Sequence, residues 1–212
     1  GFITGRARVT GYTSATEVEA VVLRNFGGTD PSSNWAEGAW SEEQVWPDAV
    51  KLVEGRLAWS GEGRNWMSVS DAFGSFEPEY LGDAAPISRD LGAEAENTTH
   101  WMLPMQRLVV GTARAEFGIR SNSINDPLTQ LNYNSSAVSN RGSAQLDAIM
   151  VDRRGYFIGR GGSAVYEVSW DASVLDVSVE NVSVLVPEIG GTGGFVRVAY
   201  ETSPDVRIHC VR

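Results

Sequence analysis

The residues most able to do chemistry are the carboxylates. Glu42-Glu43, Glu77 with Glu79 and Asp83, and Glu94 with Glu96 each place two or three acids within a few positions. Glycoside hydrolysis needs two such groups roughly 5 to 10 Å apart across a cleft. Closeness along the chain does not supply that separation, so each cluster is read as solvated surface. His100 and His209 could orient or deprotonate a serine, but there is no Gly-x-Ser-x-Gly elbow. Cys210 directly follows His209, so strand alternation would turn the two to opposite faces. One cysteine cannot close an intrachain disulfide, and with only two histidines it falls short of an ordinary zinc ligand set. Gly190-Gly-Thr-Gly-Gly194 and Gly159-Arg-Gly-Gly162 have the composition of phosphate-cradling loops. Both lack the P-loop lysine and the full dinucleotide fingerprint, and tight turns are expected instead. Asn97-Thr-Thr99, Asn134-Ser-Ser136 and Asn181-Val-Ser183 match the glycosylation sequon, a pattern short enough to arise by chance. No catalytic residue, cofactor or metal is expected.

Aromatic rings are the more informative group. Trp35, Trp40, Trp46, Trp59 and Trp66 fall within 32 residues and could stack on sugars or bases. The plainer expectation is that Trp40, Trp46 and Trp59 fill space between packed sheets. Charge narrows the partners further. The chain has 17 basic and 27 acidic residues, a net charge of −10, and Lys51 as its only lysine. Even the closest basic cluster, Arg153 and Arg154 with Arg160, is interrupted by glycines and preceded by Asp152. Phosphate backbones need clustered cations, so tight nucleic-acid binding is disfavoured. An acidic wall past which nucleic acid slides remains compatible.

The elements that would position these groups are β-strands. At 212 residues and 42% hydrophobic composition the chain supports one globular core rather than a disordered polymer. No apolar run approaches the roughly 20 residues that span a bilayer, since even 105–111 is broken by Gln106 and Arg107. Residues 1–10 hold two arginines and no apolar h-region, so no signal peptide is read there, and the chain is expected to be cut from something larger. Val18, Ala20 and Val22 alternate with polar neighbours, as do 6–10. Residues 1–26 are therefore expected to hold a β-hairpin, 27–38 a linker rich in glycine, serine and Asp30-Pro31, and 39–212 the main domain. Val182, Leu185, Val186 and Ile189 carry a helical period in a valine-rich stretch, which gives a short helix or turn before Pro187.

Beyond the linker the sequence repeats. Arg56-Leu-Ala-Trp-Ser-Gly61 is echoed by Arg107-Leu-Val-Val-Gly-Thr112, by Gly155-Tyr-Phe-Ile-Gly-Arg160, and faintly by Arg207-Ile-His-Cys-Val-Arg212. Leu57, Leu108, Tyr156 and Ile208 recur at intervals of 51, 48 and 52 residues. A period near 50 with several short strands per unit fits the blades of a β-propeller, and an irregular sandwich of recurring hairpins is the alternative. The expected fold is all-β: an open arc of about three propeller-like blades preceded by a β-hairpin from an adjoining β-domain. Strands are predicted at 6–10, 17–24, 56–60, 66–70, 107–111, 116–120, 156–159, 164–169 and 195–200, with Leu57, Leu108 and Phe157 buried.

From Trp35 onward the order of features resembles the tail nozzle proteins of short-tailed bacteriophages, the tail tubular protein B family, with the related packaged-DNA stabilisation proteins. The resemblance rests on Ala39-Trp-Ser41, Trp46-Pro47, Arg56-Leu57 closing in Gly61, and Trp66-Met-Ser68. It continues through His100-Trp-Met-Leu103, Arg107-Leu-Val-Val-Gly-Thr112 with Glu116, the Arg160-Gly-Gly162 turn and a closing strand at 207–212. It covers about 180 of the 212 residues. In that family an arginine commonly follows the proline of the Trp-Pro-like step, where this chain has Asp48.

The resemblance implies a structural, non-enzymatic virion protein, part of the phage tail nozzle or tail tube. It implies assembly in the bacterial cytoplasm as a homo-oligomeric ring, a hexamer, joined to other tail and head-completion proteins, with no membrane partner. DNA would pass through the ring transiently without tight binding. The arginines are then expected to make carboxylate pairs between blades or subunits, with Arg56 and Arg107 serving folding or assembly. The rival expectation is a glycan-binding or glycan-cleaving β-domain of a phage tail, lined by Trp35, Trp66 and Glu77.

Overall fold

The computed structural model describes residues 5–35, 37–41, 46–77, 80–92, 98–123 and 125–212. The chain divides into two compact units, Gly1–Ala39 and Trp40–Arg212.

In the first unit β1 (Arg6–Ser14) and β2 (Glu17–Arg24) form an antiparallel hairpin closed by Ala15 and Thr16. Ala7 pairs with Val22, Val9 with Ala20 and Tyr12 with Val18, which puts these six on one face, while Val21, opposite Arg8, lies on the other. That face is open, with Val9 61% and Tyr12 77% exposed.

The second unit is built from three successive four-stranded sheets. The first contains β3 (Ala49–Val53), β4 (Arg56–Gly61), β5 (Arg64–Met67) and β6 (Ile87–Asp90). The second contains β7 (Thr99–Pro104), β8 (Leu108–Thr112), β9 (Glu116–Arg120) and β10 (Asn134–Ser139). The third contains β11 (Ile149–Val151), β12 (Arg154–Ile158), β13 (Val165–Asp171) and β14 (Asp176–Asn181). Each is an antiparallel meander in which sequence neighbours are spatial neighbours. A last hairpin, β15 (Arg197–Glu201) with β16 (Arg207–Val211), follows. Among the described residues there is no α-helix, only a 3₁₀ turn at Pro187–Gly190.

The sheets stack in chain order, and side-chain alternation explains how. On β8, Leu108 and Val110 face the first sheet, where they join Ala58, Met67 and Ile87. Val109 between them faces the third sheet with Trp101 and Leu103, against Phe157, Val168 and Val177. The second sheet is therefore buried on both faces, which is why β8 opens on the unbroken apolar run Leu108-Val-Val110 and β9 is buried from Glu116 to Ile119. Ile158 and Val165 on the far side of the third sheet meet Phe195, Val198 and Cys210 of the terminal segment. The result is the expected all-β row of propeller-like blades, open rather than closed into a barrel.

Seating of the third sheet on the second depends on Gly155. A Cβ there would strike Leu103, so the glycine lets the leucine reach into β12. Tight turns do the rest locally. Glu54-Gly55 and Glu62-Gly63 both adopt positive φ, at 46° and 72° and at 47° and 72°, the geometry of two-residue hairpin loops.

Several sequence expectations need correction. All nine anticipated strands exist, 17–24 and 116–120 with the expected ends and the other seven with shifted ones; the predicted strand 66–70 is Arg64–Met67, since beyond it the Leu57 amide bonds the Ser68 hydroxyl instead of a main-chain carbonyl. Six strands, β3, β6, β7, β10, β11 and β14, were not anticipated, and they are the outer pair of each sheet. Leu57 was expected in the core but is half-buried. Alternation gives the inward position to Ala58 and leaves Leu57 opposite Leu52, itself 60% exposed. Leu108 and Phe157 are buried. Of the short helix or turn expected before Pro187, the turn is found at 182–185, and a 3₁₀ segment follows at Pro187–Gly190.

Candidate functional site

The two arginines of the repeat occupy related places, each at the turn entering the second strand of its sheet. Arg56 is 3% exposed. Its Nη1 donates to the carbonyl oxygens of Ser68 and Ala85, both at 2.7 Å, and of Ala84 at 3.2 Å, while Nη2 donates to Asp83 O at 2.6 Å. Burial pulls its pKa down, and Glu54 and Asp71 oppose that shift. The expected carboxylate partner is thus replaced by four main-chain carbonyls of the same sheet, whose long β5–β6 connection the guanidinium ties down.

Arg107, 4% exposed, reaches instead from the second sheet to the third. Its Nη2 donates to Leu175 O, its guanidinium lies 5.1 Å from the centre of the Trp170 ring, and Nη1 stands 3.9 Å from the Asp176 carboxylate. Desolvation lowers its pKa; Asp176 counters this and Arg120 adds to it. A carboxylate of the neighbouring blade is in reach here, but Nη1 and Nε make no hydrogen bond among the described residues, so the expected bidentate pair is not formed.

A buried acid lies at the opposite end of the same seam. Glu116 is fully buried at the start of β9, and neither carboxylate oxygen has a hydrogen-bond partner among the described residues. Burial raises its pKa. The Ser139 hydroxyl and the amides of Gly142 and Arg141 stand near enough to offset part of that cost, without the alignment of a hydrogen bond. The sequence marked Glu116 only as a member of the family-like motif. Its burial is set by the crossing loop 140–143, which sequence periodicity does not show.

The histidine and serine candidates are arranged for structure. The Ser143 carbonyl, 3.0 Å from His100 Nδ1, can only accept, so Nδ1 carries the proton. The Ser143 hydroxyl donates to Thr112 O at 2.9 Å, and its proton is not offered to the imidazole. His209 and Cys210 point to opposite faces of β16 as alternation requires. His209 Nε2 lies 3.3 Å from Glu201, while Cys210 packs against the terminal core, where burial raises its thiol pKa. Among the described residues no three acids, histidines or cysteines are grouped to hold a metal ion.

The tryptophans do not form a binding platform. Trp66 is buried and meets Trp40 edge-on, with centroids 5.8 Å apart at 86°. Trp40 also touches Trp59 and Phe76, at 5.4 and 5.7 Å. These rings cover the face of the first sheet turned away from the second, rather than a gap between sheets, and Trp46 is left 60% exposed. Trp35 is exposed in the first unit, so the rival lining of Trp35, Trp66 and Glu77 has its central ring buried. Glu42, Glu43, Glu79, Glu94, Glu96 and Asn97 lie outside the described residues. Of the remaining sequons, Asn134 is exposed on β10, and Asn181 Oδ1 accepts from the amide and hydroxyl of Ser183, both at 2.9 Å.

The glycine runs are turns packed on one another. Phe195 N donates to Gly162 O at 2.7 Å, and the Gly194 α-carbon abuts Gly162. Beside them opens a cleft of about 300 Å³ lined by Asn140, Arg141, Arg160, Gly161, Ser163 and Tyr166. A second hollow of about 290 Å³ shares Asn140 and Arg141 with it and is walled by Val138 and Val179. Arg160-Gly-Gly162 was the only sequence signal for this site; the Asn140-Arg141 side comes from the loop that crosses between sheets.

Comparison with known protein families and with curated proteins gives no match.

Proposed function

We propose that this chain is a structural, non-enzymatic part of a bacteriophage tail nozzle, contributing propeller blades to a homo-oligomeric ring around the channel through which DNA leaves. The observation that carries the reading is the repeat. Strands spaced near 50 residues, at Arg56–Gly61, Leu108–Thr112 and Arg154–Ile158, occupy the same second place in three stacked four-stranded sheets. The sequence order of nozzle-like motifs runs over those same strands. A net charge of −10 suits a passive conduit, because an acidic wall repels phosphate within the roughly 10 Å that screening allows at ordinary ionic strength.

Ring assembly and contacts with head-completion proteins belong to the same proposal. Mass spectrometry of purified virions from the phage that carries the gene tests it, with the protein expected at fixed stoichiometry to the portal. Gene disruption should leave filled heads that cannot deliver DNA. Absence from the virion, or release of reducing sugar from host-surface polysaccharide by the purified protein, would replace this reading with the glycan-directed one.

A further inference from the structure

The cleft at the rim between the second and third sheets has a composition at odds with the rest of the chain. No acidic residue lines it or the adjoining hollow, although acids outnumber bases 27 to 17 overall. Its charged groups are Arg141 and Arg160, both exposed. Neither pairs with a carboxylate within salt-bridge distance among the described residues. The Arg141 guanidinium instead lies 5.9 Å from the centre of the Tyr166 ring, with the buried Glu116 as an electrostatic neighbour.

The backbone beneath is fixed by its own hydrogen bonds. Gly159 N donates to Ala164 O at 2.9 Å, Arg160 N to Gly142 O at 3.0 Å and Gly162 N to Gly159 O at 2.8 Å. In this connection the amides of Gly161, Ser163 and Ala164 have no carbonyl acceptor among the described residues, and at Gly161 the space for a Cβ is open to 4 Å. A ligand can therefore approach the main chain there. Two guanidiniums, a free amide, the Asn140 carboxamide and the Ser163 hydroxyl together make a donor-rich concavity, the chemistry that recognises oxyanions.

We propose that this cleft is an oxyanion site. Arg141 and Arg160 hold the charged oxygens, the Gly161 amide takes one more, and the remaining volume accepts the ring of an acidic saccharide, with Asn140 and Ser163 facing its hydroxyls. About 300 Å³ is at the lower end of small-ligand sites and suits one or two such rings. Free phosphate or sulfate offers the same charged oxygens without the ring. The site is independent of the structural role proposed above.

Calorimetric titration of the full chain with glucuronate, glucose and inorganic phosphate tests it. Saturable glucuronate binding is expected, with no response to glucose and at least a tenfold loss of affinity in Arg160→Ala. Arg160→Lys, which keeps the charge but not the bidentate fork, should lose less. Glucuronate binding more tightly than phosphate supports the saccharide as ligand, and equal binding supports a free anion in the same site. Because Arg160 is exposed, its variants should melt at the wild-type temperature; the double variant also removes Arg141 from beside the buried Glu116 and is compared at a temperature below its own melting transition. Binding undiminished in the Arg141→Ala/Arg160→Ala double variant, or no saturation by either anion at about 10 mM, would overturn the site. So would micromolar duplex-DNA binding abolished by Arg160→Ala, which would assign the arginines to phosphate backbone.

Discussion

Two buried ionisable groups set the strongest residue-scale expectations. Replacing Arg56 by methionine would leave the buried carbonyl oxygens of Ser68 and Ala85 without their donor, while Ala84 O keeps the Ser70 amide and Asp83 O lies near solvent. Unsatisfied buried acceptors cost about 1 to 3 kcal/mol each, less what relaxation and water recover, so a loss of about 3 kcal/mol in urea-denaturation stability is expected for Arg56→Met. Glu116 works in the other direction. Its folded pKa lies above the ordinary 4.5, so the native state binds more protons than the unfolded state as pH rises from that value. Stability attributable to this group therefore falls with increasing pH across that window and is restored in acid. Glu116→Gln should be more stable than wild type at pH 7, and the difference should vanish near pH 4 in paired denaturation curves. Equal stabilities at both pH values would mean that Ser139, Arg141 and the Gly142 amide already satisfy the carboxylate.

Sheets join through complementary faces, and at the second-to-third seam the fit rests on a close approach of Leu103 to Gly155. Gly155→Ala would drive a methyl group into the Leu103 side chain. Overpacking of this kind costs about 1 to 3 kcal/mol, to be read as a lowered melting temperature with the all-β circular dichroism spectrum retained. The same seam shows what the sequence could and could not reveal. The second and third strands of each sheet were legible because they are apolar, recurrent and closed by glycine. Their outer neighbours were not: β11 has three residues, β10 is Asn-Ser-Ser-Ala-Val-Ser, and β6 carries only Ile87 inward. An edge strand needs little apolar signal, since one ladder of hydrogen bonds and a few inward side chains suffice to hold it. β7 was hidden differently, its strong Trp-Met-Leu run ending in Pro104. Arg56 and Arg107 were legible as recurring residues, but which oxygens they reach depends on connections whose course no local pattern encodes.

At the scale of the molecule, the faces at both ends of the blade row are largely covered or polar, with Val50 and Leu52 of the first sheet, 42% and 60% exposed, as the apolar remainder. Trp40 and Phe76 cover Trp59 and Trp66 on the first sheet. On the third, the terminal hairpin covers Ile158 and Val165, and the outer pairs Glu167 with Glu180 and Ser169 with Ser178 are polar. Open-ended polymerisation through blade faces is therefore not expected, and sedimentation velocity should show discrete species rather than a concentration-dependent ladder. Contact with DNA is limited by the same surface chemistry. Arg56 and Arg107 are buried, and Arg64, Arg154 and Arg207 pair with Asp90, Glu167 and Asp205. Each such cation is already neutralised or hidden, so few counterions would be released from duplex DNA on binding. Affinity should then stay near the weak non-specific limit of about 10⁻⁴ M at physiological salt, with a shallow salt dependence. Fluorescence anisotropy of a labelled duplex across a salt series measures both quantities. Micromolar affinity with a steep slope would show that the exposed arginines act together on phosphate, and would overturn the proposed passive conduit.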